Sequence, residues 1–254
     1  MKNVLKKTGK ACLKALPYFI AKKWLDETGK RNLVPDLQTN QRWCYPQMIS
    51  RVMDREIEEC VELIRENLHH SYLAPTNAEI RDYCLERIPK QGLILEFGVF
   101  QAFSTNYMAD KLAVLADQRT IHGFDSFEGL SNDGAGWMWE KGRFNLEGKL
   151  PIVRDNVRLY KGWIDETLPP FLDAHANETI AFIHIDVDIY EPAKVILELC
   201  KPKLCPSSII LFDELIGYAG WKFHEYKALN EVFVPEEYEY IAFSDYFQAA
   251  IQIK

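Results

Sequence analysis

His184-Ile-Asp-Val-Asp-Ile-Tyr190, followed by Phe212-Asp-Glu214, decides the reading of this chain. Each acid group closes an apolar run, residues 181–185 and 207–212, of the kind that forms parallel strands buried on both faces. A helix-sized segment, residues 191–203, lies between them. A strand–helix–strand unit of this length sets the two strand ends side by side, about 4.8 Å apart. Open α/β sheets bind their ligands at the carboxyl ends of such strands. Asp186, Asp213 and Glu214 are therefore candidate ligands of one hard divalent cation, for which an all-oxygen site suits Mg²⁺.

The same alternation extends outward. Apolar runs at 92–97, 120–124 and 157–160 alternate with helical segments at 102–116 and 165–174. Two further runs, 239–243 and 247–253, flank a short Ser244-Asp-Tyr246 turn and predict a terminal antiparallel pair. The expectation is an α/β fold with a doubly wound, mostly parallel sheet. Upstream, residues 51–69 carry Ile57, Val61, Ile64 and Leu68 on one helical face, and Thr76 or Asn77 can cap a second helix that ends before Pro89. Residues 1–89 thus read as an N-terminal helical extension and 90–254 as the main domain. Residues 126–156 hold five glycines and Trp137 and Trp139, a loop long enough to be functional. The two tryptophans suit a lid or a sugar platform, or anchors for the loop.

Composition narrows the function. A net charge of −7 argues against nucleic-acid binding, and no apolar run reaches the length of a membrane span. The six cysteines form no Cys-x-x-Cys pair, and reduced, buried thiols fit a cytoplasmic protein. Seven lysines in the first 25 residues alternate with apolar side chains. That pattern suits a helix packing on the domain or on a second subunit of a homo-oligomer; contact with a membrane surface is the alternative.

The first strand of the main domain runs into Glu96-Phe-Gly98 and a helix start near Ser104. An acid, a glycine and a helix N-terminus in this order receive nucleotide-like ligands, although the single glycine falls short of a dinucleotide fingerprint. Asp125 ends the next strand, where an acid accepts hydrogen bonds from ribose hydroxyls, with Ser126 beside it. Gly162 and Trp163 end the following strand and offer a close approach and an aromatic face to an adenine. Together these place a bound adenosine group beside the acids.

Five motifs in order, Glu96-x-Gly98-Val99, His122-Gly-Phe-Asp-Ser-Phe-Glu-Gly-Leu130, Lys161-Gly-Trp-Ile-Asp-Glu-Thr-Leu-Pro169, Asp186-x-Asp188-x-Tyr190 and Asp213-Glu214, resemble the macrocin O-methyltransferase family. The resemblance covers roughly residues 90–235. It implies a class I, Rossmann-like sheet of seven strands with the last antiparallel, S-adenosylmethionine (SAM) as methyl donor, and dependence on Mg²⁺ or another divalent cation. Residues 90–254 would then be a SAM-dependent methyltransferase domain acting on a sugar or natural-product hydroxyl in natural-product biosynthesis. Glu96 and Gly98 would face the methionine part of SAM, Asp125 the ribose, and Asp186, Asp213 and Glu214 the metal, with Asp188 as catalytic base. Two positions depart from the family: Ala102 stands where a second glycine is common, and Glu214 where a second aspartate is common.

Asp188 is placed as the base because alternate residues of an extended segment share a face, which would align His184, Asp186 and Asp188. His184, deeper in the strand, reads as a core histidine, and His224 and Glu225 lie near enough in sequence to reach the site. Two rivals remain: a metal-dependent glycosyltransferase using Asp186-Val-Asp188 against a nucleotide sugar, and a non-catalytic membrane-surface or assembly protein.

Overall fold

The computed structural model describes residues 45–133 and 139–254. The amphipathic stretch of residues 1–25 and Trp137 lie outside the described residues. Fourteen elements run in the order α1 (Tyr45–Asn67), β1 (Tyr72–Ala74), α2 (Asn77–Leu85), β2 (Leu93–Phe97), α3 (Phe103–Val114), β3 (Ile121–Asp125), β4 (Val157–Lys161), α4 (Ile164–Ala174), β5 (Ile180–Ile185), α5 (Tyr190–Cys200), β6 (Leu204–Phe212), α6 (Glu225–Val232), β7 (Tyr238–Ser244) and β8 (Ala249–Ile253). The strands form one sheet in the order β1-β7-β8-β6-β5-β2-β3-β4. Only β8 runs antiparallel to its neighbours.

The doubly wound α/β expectation is met, with one strand more than seven. Seven of the strands form the expected sheet with its last strand antiparallel, and β1 adds an eighth at the edge, parallel to β7. Its three residues lie in a stretch read from the sequence as helical extension. A three-residue strand carries too little alternation to be seen without its partner.

β2 and β5 are buried along their whole lengths, because helices cover both faces of the sheet. Alternate side chains feed two cores. Leu95, Phe97, Ile183, Ile185, Ile210 and Phe212 pack with α4, α5 and α6. Ile94, Phe182, Leu211 and Ala250 pack on the other face with Ile80 of α2 and Met108 and Leu112 of α3. That second face positions the site: Glu96, His184, Asp213 and Gln248 each stand two residues from one of its apolar members.

α1 packs through Cys60, with Leu63 and Ile64 beside it, while Val61 and Leu68 are exposed. The packing stripe is therefore centred one residue away from the one expected. α2 begins at Thr76, whose hydroxyl oxygen accepts from Glu79 N at 3.2 Å while its hydroxyl donates to Glu79 Oε2 at 2.9 Å. Cys60, Cys84 and Cys200 are buried free thiols. Among the described residues no helix is long and apolar enough to cross a membrane.

Candidate functional site

Three adjacent strands, β6, β5 and β2, deliver the chemistry. The register sets Glu96 opposite His184, and His184 opposite Leu211. Past the strand ends, Asp186 N donates to Phe97 O at 2.8 Å and Asp213 N to Ile185 O at 2.8 Å, so each acid loop is pinned to its neighbour's strand.

The buried Glu96 carboxylate accepts Ser104 Oγ at 2.6 Å and faces His184 Nδ1 at 3.0 Å, both at Oε1. Its Oε2 is buried without a hydrogen-bond partner. His184 Nε2 faces Asp213 Oδ1 at 3.1 Å. A fully buried imidazole between two carboxylates is drawn toward the form that can donate from both nitrogens. Burial pulls its pKa down, but the bonds to Asp213 and Glu96 outweigh it and the pKa is raised. Burial likewise works to raise Asp213, yet His184, Arg81 and Gln248 hold it well below the usual carboxylate range.

Around this pair sits an excess of acids. Asp186 and Glu214 are pushed well up, first by burial and then by the charges of Asp213 and Asp188; Glu225 is raised by burial and by Asp188 and Asp213. Glu225, from α6, accepts Val187 N at 3.5 Å and Glu214 N at 3.3 Å, bracing both acid loops. Glu214 Oε2 is buried without a hydrogen-bond partner. Six acidic side chains here face Arg81 and His184, an excess of acid that suits a bound cation.

Ligand atoms of His184, Asp186 and Asp213 lie within 4.8 Å of one another, and among the described residues this is the group whose spacing could hold a metal ion. Both nitrogens of His184 already face carboxylates, so of the three the carboxylates of Asp186 and Asp213 are the better candidates for a cation's ligands. Glu214 is not in the group; it stands near enough to feel the charges of Asp213, Asp188 and Asp186.

Asp188 is buried, at 6 % exposure, and its charge acts on Asp186, Glu214, Glu225 and Tyr218. Strand alternation does not place it. β5 ends at Ile185, and Asp188 has φ +61° inside a three-residue turn closed by Ile189 N to Val187 O at 2.7 Å. Such strained turns cluster at functional sites.

On the cofactor side, Gly98 has φ +85°, and a Cβ there would overlap the carbonyl of Asp186. Its bareness serves the packing of the two loops against each other. Asp125 Oδ2 accepts Val99 N at 2.8 Å and Phe100 N at 2.7 Å, and Oδ1 accepts Phe127 N at 2.6 Å. It clamps the first loop to its own. Ser126 Oγ accepts Glu128 N at 3.1 Å, a local turn. Gly162 N donates to Asp125 O at 3.0 Å, and Trp163, 37 % exposed, begins α4 at the far edge of the sheet. Glu96, Ser104, Asp186, Asp188, Asp213 and Glu214 thus converge, while Ser126 stands past the end of the next strand, β3, and Gly162 and Trp163 past the end of β4, two strands from Glu96. Of the loop's tryptophans, Trp139 stacks edge-on against Phe144, which meets Phe100 of the first loop.

Sequence reading missed Arg81, Gln248 and the bridging role of His184. Only His184 carried a signal, its position two residues before Asp186 on the same strand face.

Residues 95–215 match the methyltransferase domain family. The chain is 26 % identical to 8-demethyl-8-(2,3-dimethoxy-alpha-L-rhamnosyl)-tetracenomycin-C 4'-O-methyltransferase of Streptomyces olivaceus, over 57 % of this chain and 62 % of that protein. It therefore spans less than two thirds of the length of this curated relative. Two solved structures share the fold: CalS11, a calicheamicin methyltransferase, with TM-score 0.58 and 23 % identity over 81 % of this chain and 90 % of that one, and the O-methyltransferase NovP, with TM-score 0.54 and 20 % identity over 70 % and 79 %. The matched methyltransferase domain begins in β2 and ends just past Glu214, so it takes in the ends of β2, β5 and β6 on which these acids stand.

Proposed function

We propose that the protein moves the methyl group of SAM to a hydroxyl of a sugar or sugar-bearing natural product, with a divalent cation, Mg²⁺ by its oxygen donors, at Asp186 and Asp213. The observation that carries this reading is the direct packing of the Glu96-x-Gly98 loop on Asp186, which supports a methyl donor and its acceptor meeting side by side. The relative from Streptomyces olivaceus, named for methylating a rhamnosyl 4'-oxygen, supports a sugar hydroxyl as acceptor.

The orphaned Oε2 of Glu96 suits a donor such as the methionine ammonium of SAM. Asp125 keeps spare acceptor capacity for a ribose hydroxyl while it shapes the loop. Gly162 and Trp163 line the adenine end. A divalent cation, when bound, lowers the pKa of an acceptor hydroxyl and fixes its direction. Glu214 stands beside these acids, close enough to feel the charges of Asp213, Asp188 and Asp186. Asp188, held in its strained turn, takes the hydroxyl proton. The acceptor oxygen bonds to the methyl carbon as the carbon–sulfur bond breaks, and S-adenosylhomocysteine (SAH) leaves neutral at sulfur. Holding two substrates in line supplies on the order of 7–11 kcal/mol.

Methyl transfer from labelled SAM to a panel of glycosides, in Mg²⁺ or EDTA, tests the reading. Transfer that needs the cation is expected. Tight binding of UDP-sugars with no heat from SAM or SAH would establish the glycosyltransferase instead. The charge of −7 gives no support to a nucleic-acid partner; a homo-oligomer and a membrane contact through residues 1–25 are separate questions for sedimentation and vesicle flotation.

A further inference from the structure

Asp213 is held by three donors that converge on one oxygen. Arg81 donates from NH2 to Oδ1 at 2.8 Å, His184 Nε2 faces the same atom at 3.1 Å, and Gln248 Nε2 donates to it as well. Among the described residues, no donor reaches Oδ2. An oxygen with two lone pairs is saturated by this arrangement, so the carboxylate is locked about its axis with Oδ2 as the oxygen left for a ligand. The pair is largely dry, with side chains 14 % and 15 % exposed.

Two of the donors come from outside the matched domain. Arg81 stands on α2, whose start is set by the Thr76 cap and tied to β7 by Ser244 Oγ donating to Asn77 Oδ1 at 3.4 Å. Gln248, fully buried, opens the return strand at a three-residue turn around Phe247, which has φ +55°. Arg81 Nε and Gln248 Oε1 are themselves buried without partners, so each side chain gives up hydrogen bonds to make this contact. Burying two orphaned polar atoms is unfavourable, and neither side chain belongs to the apolar cores.

Resting on the reading of Asp186 and Asp213 as the cation's carboxylates, we propose that Arg81 and Gln248 are positioning residues that aim Asp213 at the cation, and that the strand–helix unit of residues 72–85 is thereby a working part of the site. Partners that orient a ligating carboxylate change metal affinity by roughly 10–100-fold when lost.

Arg81→Lys and Gln248→Met test this, because both leave the net charge of the cluster unchanged and any effect comes from orientation. Free Mn²⁺ is followed by its paramagnetic resonance during titration of the SAH-loaded protein, with SAH affinity from calorimetry as the control for folding. The expected result is Mn²⁺ binding about 10–100-fold weaker in each variant, with SAH affinity within about twofold of wild type. Unchanged Mn²⁺ affinity in both folded variants overturns the positioning role and leaves the cation site standing. Wild-type protein that takes up no Mn²⁺ overturns the cation site and the proposal with it. Arg81→Met separates charge from aim: tighter Mn²⁺ binding there, with the other two variants unchanged, shows that Arg81 acts only as a repelling charge and also overturns the proposal.

Discussion

Gly98 and Asp186 are packed backbone against backbone: a Cβ on residue 98 would overlap the carbonyl oxygen of residue 186. The Glu96-x-Gly98 loop and the loop that carries Asp186 are therefore one mechanical unit, further pinned by Asp186 N donating to Phe97 O.

Gly98→Ala should damage both halves together. The left-handed φ of +85° costs roughly 1–2 kcal/mol for alanine, and relieving the overlap displaces the Asp186 loop at a further 1–3 kcal/mol or so. SAH and Mn²⁺ binding should fall in parallel. Gly142→Ala is the control: its φ is +79°, but nothing lies within 4 Å of the added carbon. Equal melting temperatures for the two variants would contradict this account.

Ala102→Gly should be close to neutral. Ala102 is fully buried at the start of α3 with φ +60°, which explains why the resembled family commonly has glycine here. Relief of left-handed strain, about 1 kcal/mol, is offset by loss of one buried methyl, about 0.8 kcal/mol. Chemical denaturation should find the variant within about 1 kcal/mol of wild type, with SAH binding retained. A loss above about 2 kcal/mol would mean that the left-handed geometry is wrong.

Asp188→Asn and Asp186→Asn should separate in kind. Removing the base lowers kcat by about 10²–10⁴ and leaves SAH and Mn²⁺ binding in place. Asp186→Asn removes a buried acid whose ionisation beside Asp213 and Asp188 is unfavourable, so at pH 9 the protein should melt higher in EDTA while losing Mn²⁺ binding. Full methyl transfer by Asp186→Asn would remove the cation from the reaction.

The metal-free protein should lose stability as pH rises above about 6.5. Asp186, Glu214 and Glu225 are raised, so the folded chain keeps protons that the unfolded chain releases near pH 4. Their contribution is full below that value and is lost as pH climbs through the folded values. His184, also raised, acts in the same direction above about 6.5. Two groups oppose at acid pH. Asp213 is lowered, so its contribution is lost only as pH falls through its folded value. His122, pushed down to about 4 by burial and by His175 beside it, loses its contribution as pH falls from about 6.5. Melting in EDTA from pH 6.5 to 9 should show a fall, and Mg²⁺ should raise the melting temperature more at pH 8 than at 6.5. A flat profile with no Mg²⁺ effect would argue against the crowded cluster.

The sequence alone determined the alternation of buried runs and helices, the parallel sheet, and the acids at 96, 125, 186 and 213. Those are local properties: a run buried on both faces reads as a central strand wherever its neighbours are, and strand order then follows from short right-handed connections. Partnership is not local. Nothing near Arg81 or Gln248 in sequence points to Asp213, and nothing near Asp125 says that its oxygens turn back to Val99, Phe100 and Phe127. The turn that lifts Asp188 out of the strand's alternation was hidden for the same reason, because its φ of +61° is imposed by the packed loops around it. Only the assembled sheet, by stacking Glu96, His184 and Asp213 on three adjacent strand ends, decided which acids face one another and which cations hold them.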